Sequence, residues 1–232
     1  MNTTTIGEII RGDQEVFPPY LYEAYQSTRR RAPTLPLIEV PLTLSELTGP
    51  GPVISGITPE DADLTRNART GGEAIGQRII VIGCVLDDRG RPVPNTLLEI
   101  WQVNAAGRYL HKRDQWPAPL DPSFLGFGRS GTAEDGSYWF ETVKPGPVPF
   151  DGEPRQAPHI CVTVFSRGLL NHLVTRLYFE DEPANAEDPV LQCVPDHRRT
   201  TLLARREHGG ANIVYRFDII LQGTGETAFF NV

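Results

Sequence analysis

Short apolar runs separated by turn residues dominate the chain from residue 77 onward. The run at residues 78–86 (RIIVIGCVL) is followed by the turn sequence DDRGRP and a second run at 96–102 (TLLEIWQ), which is typical of a β-hairpin. Five further runs predict strands at residues 138–143, 159–165, 175–179, 215–221 and 227–232. No internal repeat is visible, so the pattern favours a sheet-rich fold with many turns.

Two segments depart from this pattern. Residues 196–206 (DHRRTTLLARR) predict one short helix with Asp196 as its cap. The first 75 residues are rich in Pro and Thr and have little regular period, apart from a short helical turn predicted near residues 6–11. Because a structureless stretch of this length is rarely idle, we expect an arm that packs on the rest of the chain or on a neighbour.

The predicted fold class is all-β: a two-sheet β-sandwich with long loops, an extended N-terminal arm and few short helices. The 22 glycines and 21 prolines punctuate the apolar runs, as they do in sandwiches with many turns. A length of 232 residues suits one main all-β domain. We therefore expect the arm at residues 1–75 and the sandwich at residues 76–232.

Charge and composition exclude several kinds of partner. The formal net charge is -7, which argues against a surface that tracks nucleic-acid phosphates. No apolar run approaches the ~18 residues of a membrane span, and the first ten residues lack the order of a signal peptide. Neither nucleic acid nor membrane is an expected partner, and a cytoplasmic location is the simplest expectation.

The cysteines do not resemble a secreted disulfide framework. Cys84, Cys161 and Cys193 are widely spaced and odd in number. Cys84 lies in an apolar run, so it is expected to be a small core residue.

Three segments carry a resemblance to a known family. They are residues 75–129, centred on WQVNAAGRYLHKR, the loop VKPGPVPF at 143–150 and the strand APHICV at 157–162. From about residue 49 onward the sequence resembles the intradiol ring-cleavage dioxygenases, and among them the protocatechuate 3,4-dioxygenases, which are built from α and β chains. The resemblance implies the sandwich fold of these enzymes and intradiol cleavage of protocatechuate to 3-carboxy-cis,cis-muconate in aromatic catabolism.

The resemblance also implies a ferric iron held by two tyrosines and two histidines. Phenolate oxygens are hard anionic donors that favour Fe³⁺, and imidazoles complete the coordination sphere. Tyr109 and His159 match two of the four ligand positions, whereas Val148 and Cys161 occupy the positions of the second tyrosine and the second histidine. Iron binding by this chain alone is therefore not expected, although the assembled enzyme requires Fe³⁺.

The catalytic arginine of the family also falls on a mismatch. Its position, three residues before the first ligand histidine, holds Gln156. The neighbouring Arg155 is a poor substitute, because a one-residue offset in an extended segment points the side chain to the opposite face.

The second half of the chain changes character. Residues 75–129 resemble the β chain, whereas residues 165–182 and 215–230 resemble the α chain, which does not bind iron. In α chains the arginine of the Thr-Arg-Leu-Tyr-Phe motif lies where substrate is bound, and Arg176 occupies that position. A guanidinium fork suits a benzoate carboxylate. Tyr25, in EAYQSTR, resembles a substrate-pocket tyrosine of the β chain.

The leading hypothesis is a subunit of a protocatechuate 3,4-dioxygenase-like hetero-oligomer that is inactive alone. Its expected partners are a complementary α- or β-type subunit, a catechol-type aromatic acid and dioxygen. One alternative is a repurposed enzyme in which Tyr109, His159 and Cys161 hold another metal, or His111 and His159 act without one. The other alternative is a binding or structural module whose pocket is closed by Val148 and Phe150.

Overall fold

The computed structural model describes residues 21, 23–32, 35, 56–69, 71–150, 156–169, 171–207, 210 and 212–231. The chain divides into two compact units, Met1–Gly51 and Pro52–Val232. The first unit contains helix α1 at Gln26–Arg31. The helical turn expected near residues 6–11 lies outside the described residues. The boundary expected at residues 75–76 falls inside the second unit.

In the described part of the second unit the chain forms nine strands and a few short helices. The strands are β1 (Arg78–Leu86), β2 (Leu97–Trp101), β3 (Phe127–Gly131), β4 (Ser137–Val143), β5 (His159–Phe165), β6 (Leu173–Phe179), β7 (Leu203–Glu207), β8 (Val214–Arg216) and β9 (Ile219–Ile220). The α-helices are α2 (Pro59–Ala62), α3 (Pro189–Gln192) and α4 (Asp196–Arg199), and 3₁₀ turns lie at Pro183–Glu187 and Thr200–Leu202. The expected all-β class with few short helices is confirmed, and β1 and β5 have the predicted bounds.

The strands form one continuous path in two halves that face each other across the core. Their order is β3-β2-β5-β6-β7-β8-β1-β4, with β9 beside β1. Strand β7 joins the halves, because it pairs with β6 on one side and with β8 on the other. Ile100 and Ile160 of one half meet Val81 and Phe140 of the other in a single core cluster. The result is a sandwich-like packing of two sheet faces over one core.

The segment that contains α2 lies between the two end strands of this path. Leu64, which is fully buried, donates its N–H to the carbonyl of Glu141 on β4 at 2.8 Å. Asn67 Nδ2 donates to the carbonyl of Phe127 on β3 at 2.7 Å. Side-chain and backbone donors thus satisfy edge carbonyls that would otherwise be open to pairing. Among the described residues no helix has the length and apolar character needed to cross a membrane.

The single helix predicted for residues 196–206 is wrong in its second part. Helix α4 ends at Arg199, a 3₁₀ turn follows, and β7 begins at Leu203. Ala204 pairs with Phe179 of β6, so tertiary strand pairing overrides the local helical preference. The helix cap is Pro195 rather than Asp196, which instead pairs with Arg199 at 2.9 Å.

The two C-terminal strand predictions also need correction. The run at 215–221 is split into β8 and β9, because the Asp218 carboxylate takes the N–H of Cys84 at 2.9 Å and replaces a backbone partner there. Within the described part of residues 227–232 only an isolated bridge is formed, between Phe230 and Val174.

Candidate active site

The WQVNAAGRY motif folds into a loop that presents Tyr109. The Asn104 side chain organises it, since Oδ1 accepts from the backbone N–H groups of Ala106 and Arg108, both at 3.0 Å. Gly107 has φ +81°, and a Cβ built on it would lie 2.2 Å from the carbonyl oxygen of Pro147. Only glycine tolerates both conditions. The motif loop and the Lys-Pro-Gly-Pro loop are therefore locked against each other.

Three neighbouring strands place the other site residues in a row. Trp101 on β2, Cys161 on β5 and Arg176 on β6 are direct cross-strand partners. The Tyr109 ring packs 5.1 Å from the Trp101 ring, and its hydroxyl group interacts with the Cys161 thiol. Directly opposed residues on one sheet face lie within side-chain contact distance. Tyr109, Cys161 and Arg176 consequently belong to one site.

His159 lies on the same strand face as Cys161 but is almost fully buried. It is 2% exposed, and its Nδ1 lies 2.7 Å from the carbonyl oxygen of Ala157. A carbonyl only accepts, so Nδ1 carries the proton and Nε2 keeps its lone pair. Burial, together with the positive charge of Arg176, lowers the pKa of His159 from 6.5 to about 4. The imidazole is neutral at pH 7.

This burial gives an expected pH dependence. Between pH 6.5 and 4 the unfolded chain takes up a proton on His159 and the folded chain does not, so stability falls as the pH is lowered through this window. The loss attributable to this group is up to about 3 kcal/mol. Urea denaturation at pH 7 and pH 4.5 should show a smaller loss in His159→Gln than in the parent. The exposed His172→Gln is the control, and an unchanged pH dependence in His159→Gln would contradict the assignment.

Val148 and Gln156 close the loop that precedes β5. They form an isolated antiparallel bridge with N···O distances of 3.1 and 2.7 Å. Both are almost buried, at 8% and 9% exposure. The side chain of Gln156 reaches Arg176, whose Nη1 donates to Oε1 at 2.7 Å. Gln156 thus connects the loop of Val148 to the row on the sheet, while Arg155 lies outside the described residues.

The donor set does not fit the ferric site that the resemblance implies. Val148 has no donor atom, which leaves the Tyr109 oxygen, the His159 Nε2 and the Cys161 sulfur. Burial raises the pKa of both Tyr109 and Cys161, so both are protonated at pH 7 when no metal is bound. Among the described residues no group of three or more His, Cys, Asp or Glu side chains is placed to hold a metal. A trivalent cation would find only Tyr109 and His159 of the family's four ligands here, and it would lie close to the Arg176 guanidinium.

The remaining sequence-based candidates lie in other surroundings. Tyr25 belongs to the first compact unit, where it precedes α1 and is 58% exposed. His111 is exposed, its ring centroid lies 6.1 Å from that of Trp101, and Nδ1 accepts from the N–H of Arg113. Phe150 is 45% exposed, in contrast to the buried Val148.

Two site residues were missed by the sequence analysis. Tyr178 and Asp188 are both fully buried and hydrogen-bonded to each other at 3.1 Å, directly behind Arg176. Tyr178 is two positions from Arg176 in the Thr-Arg-Leu-Tyr-Phe motif, so strand alternation alone places both on one face. Asp188 precedes Pro189, and an Asp-Pro pair is a recognisable helix start.

A groove of about 480 Å³ lies at the β3 edge. Its lining includes Arg69, Leu125 and Phe127 but neither Tyr109 nor Arg176. The candidate site is therefore defined by its side chains and their contacts rather than by a large cavity.

Comparison with known proteins gives the same family for nearly the whole chain. The family described as "Dioxygenase" matches residues 48–223, and "Protocatechuate 3,4-dioxygenase beta subunit N terminal" matches residues 10–43. The chain is 43% identical to the protocatechuate 3,4-dioxygenase beta chain of Burkholderia cepacia over 217 residues, covering 90% of this chain and 92% of that one. It is 47% identical to the alpha chain of Burkholderia cepacia over 163 residues, covering 68% and 79%.

A solved structure shows a related fold. The dioxygenase domain of a dioxygenase carbohydrate-binding protein fusion from Streptomyces sp. SirexAA-E is 26% identical, with a TM-score of 0.51 over 70% of this chain and 87% of that one.

Proposed function

This chain belongs to the intradiol protocatechuate dioxygenase family, and on that premise we propose that it is the non-iron subunit of a protocatechuate 3,4-dioxygenase-like assembly. The complementary chain holds the iron, and the assembly opens protocatechuate between its hydroxyl groups to 3-carboxy-cis,cis-muconate. The observation that carries this proposal is the composition of the site, in which a valine and a thiol stand at two ligand positions next to an arginine.

The state of Arg176 supports a role at the substrate. Its guanidinium is half-buried, and no carboxylate of the described residues lies within ion-pair distance of it. Its hydrogen-bond partners are the neutral Gln156 and Tyr178. The buried Asp188 carboxylate acts on Arg176 from behind the Tyr178 hydroxyl group and not by direct contact, so an external anion in direct contact with the guanidinium is favoured. The carboxylate of an aromatic acid supplies that charge, and we assign this contact to Arg176.

The test compares iron content, visible absorption and ring-cleavage activity of the purified chain with those of the chain mixed with a β-type partner. We expect the purified chain to hold far less than one iron, to lack the visible absorption of ferric tyrosinate and to show no ring cleavage. Mixing it with a β-type chain, such as that of Burkholderia cepacia, should give protocatechuate-dependent oxygen uptake and the muconate product. The Arg176→Gln assembly should need a protocatechuate concentration at least tenfold higher for half-maximal rate.

Two outcomes would contradict this function. One is near-unit iron and full activity in the chain alone. The other is an absence of activity with every β-type chain tried, provided that the mixture forms a complex by size-exclusion chromatography. Arg66→Gln is the matched control for charge, because Arg66 is exposed and pairs with Glu73 instead.

A further inference from the structure

A fully buried carboxylate lies behind the site. Asp188 Oδ2 accepts from the N–H of Ala157 at 2.7 Å, and Oδ1 accepts from the N–H groups of Val190 and Leu191 at 2.9 and 2.7 Å. Oδ1 also accepts from the hydroxyl group of Tyr178 at 3.1 Å. Three backbone donors fix the position of this carboxylate independently of its hydrogen bond to Tyr178. Asp188 is therefore a rigid acceptor and not a free charge.

Tyr178 connects this anchor to Arg176. The tyrosine is 0% exposed, and its hydroxyl group donates to Asp188 while accepting from Arg176 Nη1 at 3.4 Å. Its ring is also held by packing against His159, with the centroids 5.6 Å apart. A hydroxyl that donates and accepts at once has one preferred orientation, so the acceptor that it offers to Arg176 points in a defined direction.

Gln156 supplies a second acceptor for the same nitrogen. Its Oε1 takes a hydrogen bond from Arg176 Nη1 at 2.7 Å, and its backbone is held by the bridge to Val148. Both hydrogen bonds of Arg176 to described residues thus use Nη1. The other edge of the guanidinium, Nε and Nη2, is left for a planar two-oxygen ligand.

We propose that Gln156 and Tyr178, with Tyr178 anchored by Asp188, are positioning residues that hold Arg176 so that its Nε and Nη2 edge faces the carboxylate of the aromatic acid. This inference rests on the proposed function, because that function supplies the carboxylate. It gives a role to the glutamine at the family's arginine position: the side chain that replaced the arginine orients a guanidinium presented from β6. An arginine side chain loses conformational entropy when it is immobilised by a bound ligand. Two fixed acceptors already restrict the side chain before binding, so less entropy is lost at that step.

The experiment compares two variants that remove one acceptor each, Tyr178→Phe and Gln156→Met, in the αβ assembly. Each should raise KM for 3,4-dihydroxybenzoate about three- to tenfold and leave kcat within about twofold. With the uncharged methyl ester of the same acid, KM should not change between parent and variants. Tyr215→Phe is the matched control, since Tyr215 also donates to a carboxylate, Asp181, at 3.0 Å, but makes no contact with Arg176.

A second measurement on the chain alone does not depend on the partner. The Nε–H order parameter of Arg176, from ¹⁵N relaxation, should fall in both variants and stay unchanged in Tyr215→Phe. If Arg176→Gln raises KM but neither acceptor variant does, the positioning inference is wrong and the proposed function stands. If Arg176→Gln has no effect on KM, the substrate contact itself is wrong. Should Tyr178→Phe fail to fold, Gln156→Met decides alone.

Discussion

The double variant Val148→Tyr, Cys161→His is expected to bind iron poorly until Arg176 is also replaced by glutamine. The two substitutions complete the family's set of two tyrosines and two histidines. Arg176, however, is the direct cross-strand partner of residue 161, and its charge already acts on Tyr109 and His159. Because like charges repel, a guanidinium beside the ligand positions disfavours Fe³⁺ there.

Metal analysis after dialysis against Fe³⁺ and visible spectroscopy check this expectation. The triple variant should approach one iron per chain and be coloured, and the double variant should bind at least tenfold more weakly. The same double variant carrying Arg66→Gln is the control for loss of one positive charge at the surface. Tight, coloured iron in the double variant would show that only ligands are missing. A colourless triple variant would show that the surrounding loops have changed the site.

Gly107→Ala is expected to destabilise the chain by about 3 kcal/mol. Two costs add: the left-handed backbone at φ +81° costs about 1 to 2 kcal/mol for a residue with a Cβ, and forcing that Cβ away from Pro147 costs a further ~1 to 3 kcal/mol. Gly90→Ala isolates the first cost, because Gly90 has φ +71° but no atom within 4 Å of the added Cβ.

Urea denaturation of the two glycine variants separates the costs. Gly90→Ala should lower the free energy of unfolding by about 1 to 2 kcal/mol and Gly107→Ala by clearly more, with the slope against urea unchanged. Near-UV circular dichroism should change only for Gly107→Ala, since Tyr109 lies on that loop and its ring packs against Trp101. Equal losses of stability would mean that the two motif loops are not locked together as the structure shows.

Apolar runs bounded by turn residues made the central strands predictable. Strands β1 and β5 carry an inward apolar residue at every second position, and their bounds follow from sequence alone. The secondary-structure predictions were wrong where a residue distant in sequence determines the local structure. Residues 203–207 have helical preference but pair with β6 and β8, and the run after Tyr215 is interrupted by the Asp218 side chain. Local propensity is weak compared with a sheet ladder that only the folded chain provides.

The resemblance placed the family's iron-ligand positions, and the sequence alone shows that Val148 cannot bind a metal. Spacing also puts His159 and Cys161 on one strand face. The sequence could not show that Gln156 and Arg176 touch, because they are 20 residues apart and meet through the pairing of β5 with β6 and the bridge at Val148.

The sequence by itself thus determined the strand core, the family and the presence of Val148 and Cys161 at two positions where the resemblance implies iron ligands, because these follow from the side chains and from apolar runs bounded by turn residues. The tertiary structure alone decided what surrounds Tyr109 and His159. It placed the Arg176 guanidinium next to Cys161. It also linked Arg176 through the Tyr178 hydroxyl group to the buried Asp188 carboxylate. Hydrogen bonds between distant strands set that arrangement, and their geometry is a property of the packed fold and not of any local pattern.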